Sequence, residues 1–181
     1  MKRILVAYAS KHGSTAEIAE AIGEVLRSRG DEVEVRPAAE VRELTGVEGV
    51  VLGSAVYMGR WMREGVDFLK RHQRTLRDVP TWLFSSGPTG GSPDADAKVR
   101  ELGPVSAARP EGRVARLAER IYSLGHVTFP GRVVPEMGGI FERWVPRGDW
   151  RDFAAIRAWA AGIFRDSAAA EAPQEVSHEA A

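Results

Sequence analysis

The stretch "ILVAYASKHGSTAEIAEAI", Ile4–Ile22, carries three signals in succession. Its apolar run through Ala9 is what a parallel strand buried on both faces requires. Ser10–Thr15 is a bend rich in Ser, Gly and Thr, with Lys11 and His12 inside it. Beyond the bend, Ile18, Ile22, Val25 and Leu26 recur at helical spacing until Gly30 stops the pattern. The bend admits two readings. Gly13 lets backbone N–H groups approach closely, Ser10, Ser14 and Thr15 add hydroxyls, and a helix start adds the positive end of a dipole. Together these suit a phosphate monoester. Ser14 and Glu17 also spell a capping box, S-x-x-E, which satisfies the helix start with no ligand. Glu17 opposes a dianion unless it turns outward. The bend alone leaves both readings standing.

On from the bend, strands and helices alternate. "EVEVR", Glu32–Arg36, reads as a second strand and Pro37–Leu44 as a short helix. "GVVLGS", Gly49–Ser54, is a third strand, and Trp61–Leu76 carries Val66, Leu69, His72 and Leu76 at helical spacing. "TWLFSS", Thr81–Ser86, is a fourth strand, followed by a Gly/Pro/Asp-rich loop over Gly87–Asp96. Pro110–Ser123 is a helix, and "HVTFPGRVV", His126–Val134, is a fifth strand interrupted or ended at Pro130-Gly131. Trp150–Phe164 is a last helix with Phe153, Ile156, Ala160 and Ile163 on one side. This alternation predicts an α/β fold: a doubly wound five-stranded parallel sheet in three α/β/α layers. We place that domain over residues 1–166 and read the Ala/Glu-rich remainder, 167–181, as a disordered tail.

Bulk composition narrows the function. With 25 Lys+Arg against 25 Asp+Glu, the formal net charge is zero, which gives no global footprint for nucleic acid. The absence of cysteine removes disulfides, thiol nucleophiles and iron–sulfur clusters. The four histidines, His12, His72, His126 and His178, have no ligand-like spacing, so no metal is expected. Lys2-Arg3 before Ile4–Ala9 faintly resembles a signal peptide, but the apolar run is too short, and no stretch approaches a membrane span. A cytoplasmic location is the expectation.

Ligands of doubly wound sheets bind beyond the carboxyl ends of the strands. That points to the loops Ser10–Thr15, Ser54–Trp61 and Ser85–Ser92. The first lacks the G-x-x-x-x-G-K-[ST] of a P-loop and the G-x-G-x-x-G of a dinucleotide site. A phosphorylatable receiver is excluded too, because Ser54 stands where the third strand would need Asp. The second loop sets Tyr57 and Trp61 among small residues, which suits stacking on a flat ring. The alternative for Trp61 is a core residue opening the next helix. The third loop, "SSGPTGG", Ser85–Gly91, is small enough for its amides to meet ring edges, though alone it is only a turn. A phosphate cradle, an aromatic loop and an amide-rich loop on one sheet edge are what FMN needs.

On "ILVAYASKHGSTAEIAEAI", "VVLGSAVYMGRWMREGVDFLKRH" and the Gly148-Asp149-Trp150 approach to the last helix, the chain resembles the flavodoxins. Within them it is most similar to the flavodoxin-domain family of menaquinone-dependent protoporphyrinogen IX dehydrogenases. The resemblance covers residues 3–85 well and the rest thinly. It implies strand order 2-1-3-4-5 and an FMN site. Ser10, His12, Gly13, Ser14 and Thr15 would hold the phosphate. Ser54, Ala55, Val56, Tyr57, Met58 and Gly59 would embrace the isoalloxazine, with the Met58-Gly59 peptide facing flavin N5. Ser85, Ser86, Gly87 and Gly90 would line its other edge. The family's long basic insertion after a late strand corresponds here to the short "VVPEMGGIFERWVP", Val133–Pro146.

Flavodoxins that only carry electrons tend to be acidic, whereas this chain is neutral. Arg60, Arg63, Lys70, Arg71, Arg74 and Arg77 face only Glu64 and Asp67 between residues 60 and 77. Cations there favour the reduced, anionic flavin and raise its potential. Arg60, Trp61 and Arg63 form a candidate patch for an anionic substrate; the alternative is a solvated helix face. The expected function is an FMN-dependent oxidoreductase of the protoporphyrinogen dehydrogenase type, in which the flavin carries the chemistry. Its electron partner would be a small molecule or a redox protein, with a quinone as one acceptor. A peripheral position at the inner membrane face would go with the quinone. The alternatives are an electron carrier without its own substrate and a flavodoxin-fold module without flavin.

Overall fold

The computed structural model describes residues 1–57, 59–87, 112–133 and 148–164. The first strand, β1 (Arg3–Ala9), is flanked by β2 (Glu32–Pro37) and β3 (Gly49–Tyr57). Beyond β3 lie β5 (Thr81–Gly87) and β6 (Gly125–Pro130), giving the order β2-β1-β3-β5-β6 with every neighbour parallel. Between β3 and β5, a two-residue strand β4 (Arg60–Trp61) folds back antiparallel on the end of β3. With β4 set aside, the five long strands follow the order 2-1-3-4-5 expected from the sequence. A short antiparallel ribbon, β7 (Arg132–Val133) with β8 (Gly148–Asp149), stands apart from the sheet.

The sheet is buried on both faces because successive side chains of its strands point opposite ways. Ile4 and Val6 of β1, Val51 of β3 and Phe84 of β5 pack beneath helices α1 (Ser14–Ser28) and α4 (Phe153–Gly162). Leu5, Ala7, Leu52 and Leu83 face the other way, against α2 (Arg63–Arg71) and α3 (Gly112–Arg120). Three α/β/α layers result. Gly53 is where the first of these faces comes closest: a Cβ there would sit 1.9 Å from the Phe84 ring.

Several elements differ from their sequence expectation. Pro37–Leu44 forms no helix: Pro37 ends β2 and the chain then turns and runs irregularly toward β3. Ala38, Val41 and Leu44 are buried against the sheet, a spacing of three that imitates helical periodicity. Two of its backbone groups bond outside the segment: Ala38 N–H donates to the Tyr8 carbonyl, and Arg71 Nη1 donates to that of Val41. The helix expected over Trp61–Leu76 is divided. Trp61 pairs with Val56 in the hairpin, α2 ends at Arg71, and Leu76 lies in a separate 3₁₀ turn, Thr75–Arg77. The last helix starts later than expected because Asp152 caps it, its side chain accepting from Ala155 N–H at 2.9 Å. Met58, Gly90, most of the loop expected over Gly87–Asp96 and the tail from residue 167 lie outside the described residues.

Candidate functional site

Parallel register sets the site. Ala9 is level with Ser54, and Ser54 with Ser85, so β1, β3 and β5 deliver their carboxyl ends to one edge. One cleft there is lined by Ser10, His12, Ser14 and Thr15 from the first loop and by Ala55, Val56 and Tyr57 from the end of β3. Ser86 and Gly87 of β5 and Gly131 and Arg132 beyond β6 complete it. All three loops singled out in the sequence therefore meet.

The first loop turns sharply at Gly13, whose φ of +82° is a left-handed conformation that glycine adopts without strain. Gly13 is the N-cap of α1, and no side chain caps the helix. The capping box read from Ser14 and Glu17 is therefore not formed. Ser14 Oγ instead accepts from the backbone N–H of Arg132 at 3.3 Å. Glu17 turns to two arginines: Oε1 lies 3.0 Å from Arg132 Nη2, and Oε2 lies 2.7 Å from Arg151 Nη1. Its charge is thereby compensated at the helix start, and the first N–H groups of α1 keep their capacity for an acceptor. Asp149 completes the cluster, taking two bonds from the Arg151 guanidinium at 2.7 and 2.6 Å and a third from its backbone N–H at 3.2 Å. The hydrogen-bonded guanidinium of Arg151 holds the Asp149 carboxyl below its usual range.

At the second loop β3 continues to Tyr57, three residues further than expected, and turns back through Gly59 at φ +73°. Tyr57 meets the His12 ring edge-on, with centroids 6.5 Å apart, so the first two loops touch across the cleft. Partial burial raises the Tyr57 phenol above its usual pKa. Ser54, Ser85 and Trp61 sit inside the fold rather than on the cleft. Ser54 is fully buried and accepts from Met62 N–H at 3.0 Å, tying the hairpin to the start of α2. Trp61 is buried in the core, and its Nε1–H donates to Ser85 Oγ at 2.7 Å. That hydroxyl also shares a hydrogen bond with His126 Nε2, 2.9 Å away. Arg60 and Arg63 are exposed beside the turn, and Arg63 also pairs with Asp67 at 3.2 Å.

Gly131, Arg132, Arg151 and His126 were not among the residues the sequence singled out for the site. For Arg132 the signal was its position: a cation just past the Pro130-Gly131 that ends the last parallel strand reaches the same edge as the other loops. For Arg151 nothing local marks it. Among the described residues, no three His, Asp or Glu side chains form a metal-binding group, and no helix is long and apolar enough to cross a membrane.

Strand order, layers and cleft together define a flavodoxin-like α/β protein. The model of the flavodoxin domain family matches residues 5–122, and the chain belongs to that family. Its members bind FMN. No curated protein matches the chain. Among solved structures it is similar to rubredoxin oxygen:oxidoreductase from the anaerobe Desulfovibrio gigas, at 15% identity and TM-score 0.62. That match covers 95% of this chain but only 38% of the oxidoreductase. Oxidised flavodoxin 2 from Bacillus cereus is 21% identical with TM-score 0.54, covering 87% of this chain and 94% of the flavodoxin. The flavodiiron protein from Giardia intestinalis is 16% identical with TM-score 0.56, covering 89% and 35%. At these identities the likeness concerns the fold.

Proposed function

We propose that the chain binds FMN in this cleft and works as a flavin-dependent oxidoreductase. The convergence of Ser10, His12 and Thr15, of Ala55–Tyr57, and of Ser86 and Gly87 on one cleft carries the reading. The donor set suits the cofactor. A phosphate at Gly13–Thr15 meets an uncapped helix start, hydroxyls from Ser10, Ser14 and Thr15, and a Glu17 whose charge is already matched. Ser14 accepts from Arg132 and keeps its own proton to donate. Ala55–Tyr57 and Gly59 flank one side of a ring, with Met58 assigned there by the resemblance. Ser86 and Gly87 offer backbone groups on the other side, with Gly90 assigned likewise. Ser54, Ser85 and Trp61 support these segments from within. Bound FMN supplies hydride and electron transfer; the protein fixes its place and field.

As to substrate, the resemblance to protoporphyrinogen IX dehydrogenases is supported by Arg60 and Arg63, exposed cations beside the Tyr57 turn that suit the carboxylates of a tetrapyrrole. Electrons would then pass to a quinone or another acceptor. A second reading, an electron-transfer protein with no substrate of its own, is favoured by the short stretch Val133–Pro146, where those dehydrogenases carry a long insertion. Titration of the apoprotein with FMN, followed by flavin fluorescence, tests the cofactor; absence of saturable binding overturns it. Anaerobic mixing of the FMN form with protoporphyrinogen separates the readings. Bleaching in a single turnover supports the dehydrogenase. No bleaching, with ready reduction by a redox protein, supports the carrier.

A further inference from the structure

After Pro130 the chain does not leave the sheet edge. It crosses the end of β5 so closely that a Cβ on Gly131 would stand 2.9 Å from the Gly87 carbonyl oxygen. It then reaches the first loop, where Arg132 N–H donates to Ser14 Oγ. We propose that Arg132 is a phosphate ligand of the cleft and that Glu17 is its counterweight, so that this ion pair sets the preference for FMN over unphosphorylated flavin. The proposal rests on reading the cleft as the FMN site.

Arg132 lines the cleft together with Ser10, His12, Ser14 and Thr15. Its Nε is buried and, among the described residues, has no acceptor. A buried donor without a partner is uncommon and calls for an explanation. Its Nη2 is held by Glu17 at 3.0 Å, yet Glu17 does not depend on it. The other carboxylate oxygen takes a 2.7 Å bond from Arg151, whose side chain is 3% exposed and is anchored by Asp149. Arg132 can therefore turn toward a phosphate without leaving a carboxylate unpaired. Arg151 is too well enclosed to make that turn.

The balance of charge points the same way. Glu17 and Asp149 balance Arg132 and Arg151, so the cluster as a whole offers a dianion no net attraction. Once Arg132 faces the phosphate, Glu17 stays matched by Arg151 and the cation is placed where the charge lies. The planar guanidinium can then give two parallel bonds to phosphate oxygens. The two members of the pair thus have opposite effects: Arg132 favours the phosphate and Glu17 restrains Arg132.

The test titrates wild type, Arg132→Gln, Arg132→Lys and Glu17→Gln with FMN and with riboflavin, following flavin fluorescence. Loss of a charge-assisted contact should weaken FMN binding by roughly 10- to 100-fold in Arg132→Gln, leaving riboflavin unchanged. Arg132→Lys should fall between, and Glu17→Gln should bind FMN more tightly than wild type. Thermal unfolding of each variant checks its fold, and Glu17→Gln retains the arginine if Arg132→Gln fails to fold. If Arg132 only pairs with Glu17, the Arg132→Gln and Glu17→Gln variants will shift FMN in the same direction, which overturns the proposal. Equal losses for FMN and riboflavin in Arg132→Gln overturn it as well. A wild-type protein that binds neither flavin overturns the FMN reading itself, and this inference with it.

Discussion

Replacing Arg151 by methionine keeps most of the side-chain volume and removes a cation that ties α1 to the β8 segment. Its guanidinium bonds Glu17 at 2.7 Å and Asp149 at 2.7 and 2.6 Å, and lies 4.9 Å from the centre of the Phe153 ring. The arginine side chain is 3% exposed, but its two carboxylate partners are 46% and 43% exposed. That asymmetry sets the magnitude. Breaking a fully buried pair costs about 3–5 kcal/mol, because the remaining charge is stranded; here both carboxylates can rehydrate. An exposed pair is worth about 0–1 kcal/mol, and this one loses several bonds and a ring contact as well. We expect Arg151→Met to lose about 1–2 kcal/mol, between those limits, which lowers Tm by about 2–8 °C for a chain of this size. The pH dependence is more telling. The Arg151 bond holds the Asp149 carboxyl below its ordinary 3.8, so the unfolded chain takes up that proton first. The stabilisation is complete above about pH 5 and is lost as pH falls through the depressed folded-state value. Urea unfolding of wild type and variant should show a constant gap from about pH 5 to 8 that closes in stronger acid. A gap equally wide well below about pH 4, or none at neutral pH, would contradict this account of the cluster.

Gly59 sits at φ +73° with nothing within 4 Å of the place a Cβ would take, so Gly59→Val adds backbone strain of about 1–2 kcal/mol without a clash. If its peptide faces the flavin, the redox potential of bound FMN shifts as well; an unchanged potential would remove Gly59 from the site. Gly131→Ala drives a methyl to 2.9 Å from the Gly87 carbonyl oxygen, a backbone atom that cannot swing aside. It should cost about 1–3 kcal/mol in urea unfolding and weaken FMN binding by lifting Arg132 from Ser14; a variant of wild-type affinity would show that the crossing segment is dispensable. Trp61→Phe deletes the donor to Ser85 and leaves a gap in the core, for a loss of about 1–3 kcal/mol by chemical denaturation. A loss below about 0.5 kcal/mol would mean the indole is not packed as described.

The layers were legible because they depend on local periodicity. The unbroken apolar run of β1, the helical spacing of Ile18, Ile22 and Leu26, and Gly30 as a stop correspond to the observed elements closely. Pro37–Leu44 misled for the same reason: Ala38, Val41 and Leu44 satisfy a helical spacing while packing as an irregular segment. The second loop lies on the expected edge, but its sequence offers Trp61 both a stacking role and a core role. Tyr57 does line the cleft, whereas Trp61 is drawn inward by Ser85, a residue 24 positions away.

The alternation of strands and helices, the sheet edge where the loops meet, and Gly13 as the turn into α1 were all written in the chain itself. These follow from neighbours within a turn or two of chain. Whether that helix start could receive an anion was not decided locally, since Ser14 and Glu17 fit a capping box as well as a cradle. Contacts between distant segments decided which arrangement of Ser14 and Glu17 forms. Arg132 bonds Ser14 across 118 positions and Arg151 bonds Glu17 across 134, so the carboxylate that would repel a phosphate is matched by cations. Only the closing of the sheet brings those charges within 3.0 Å, and no periodicity in the chain encodes a pairing made at that separation.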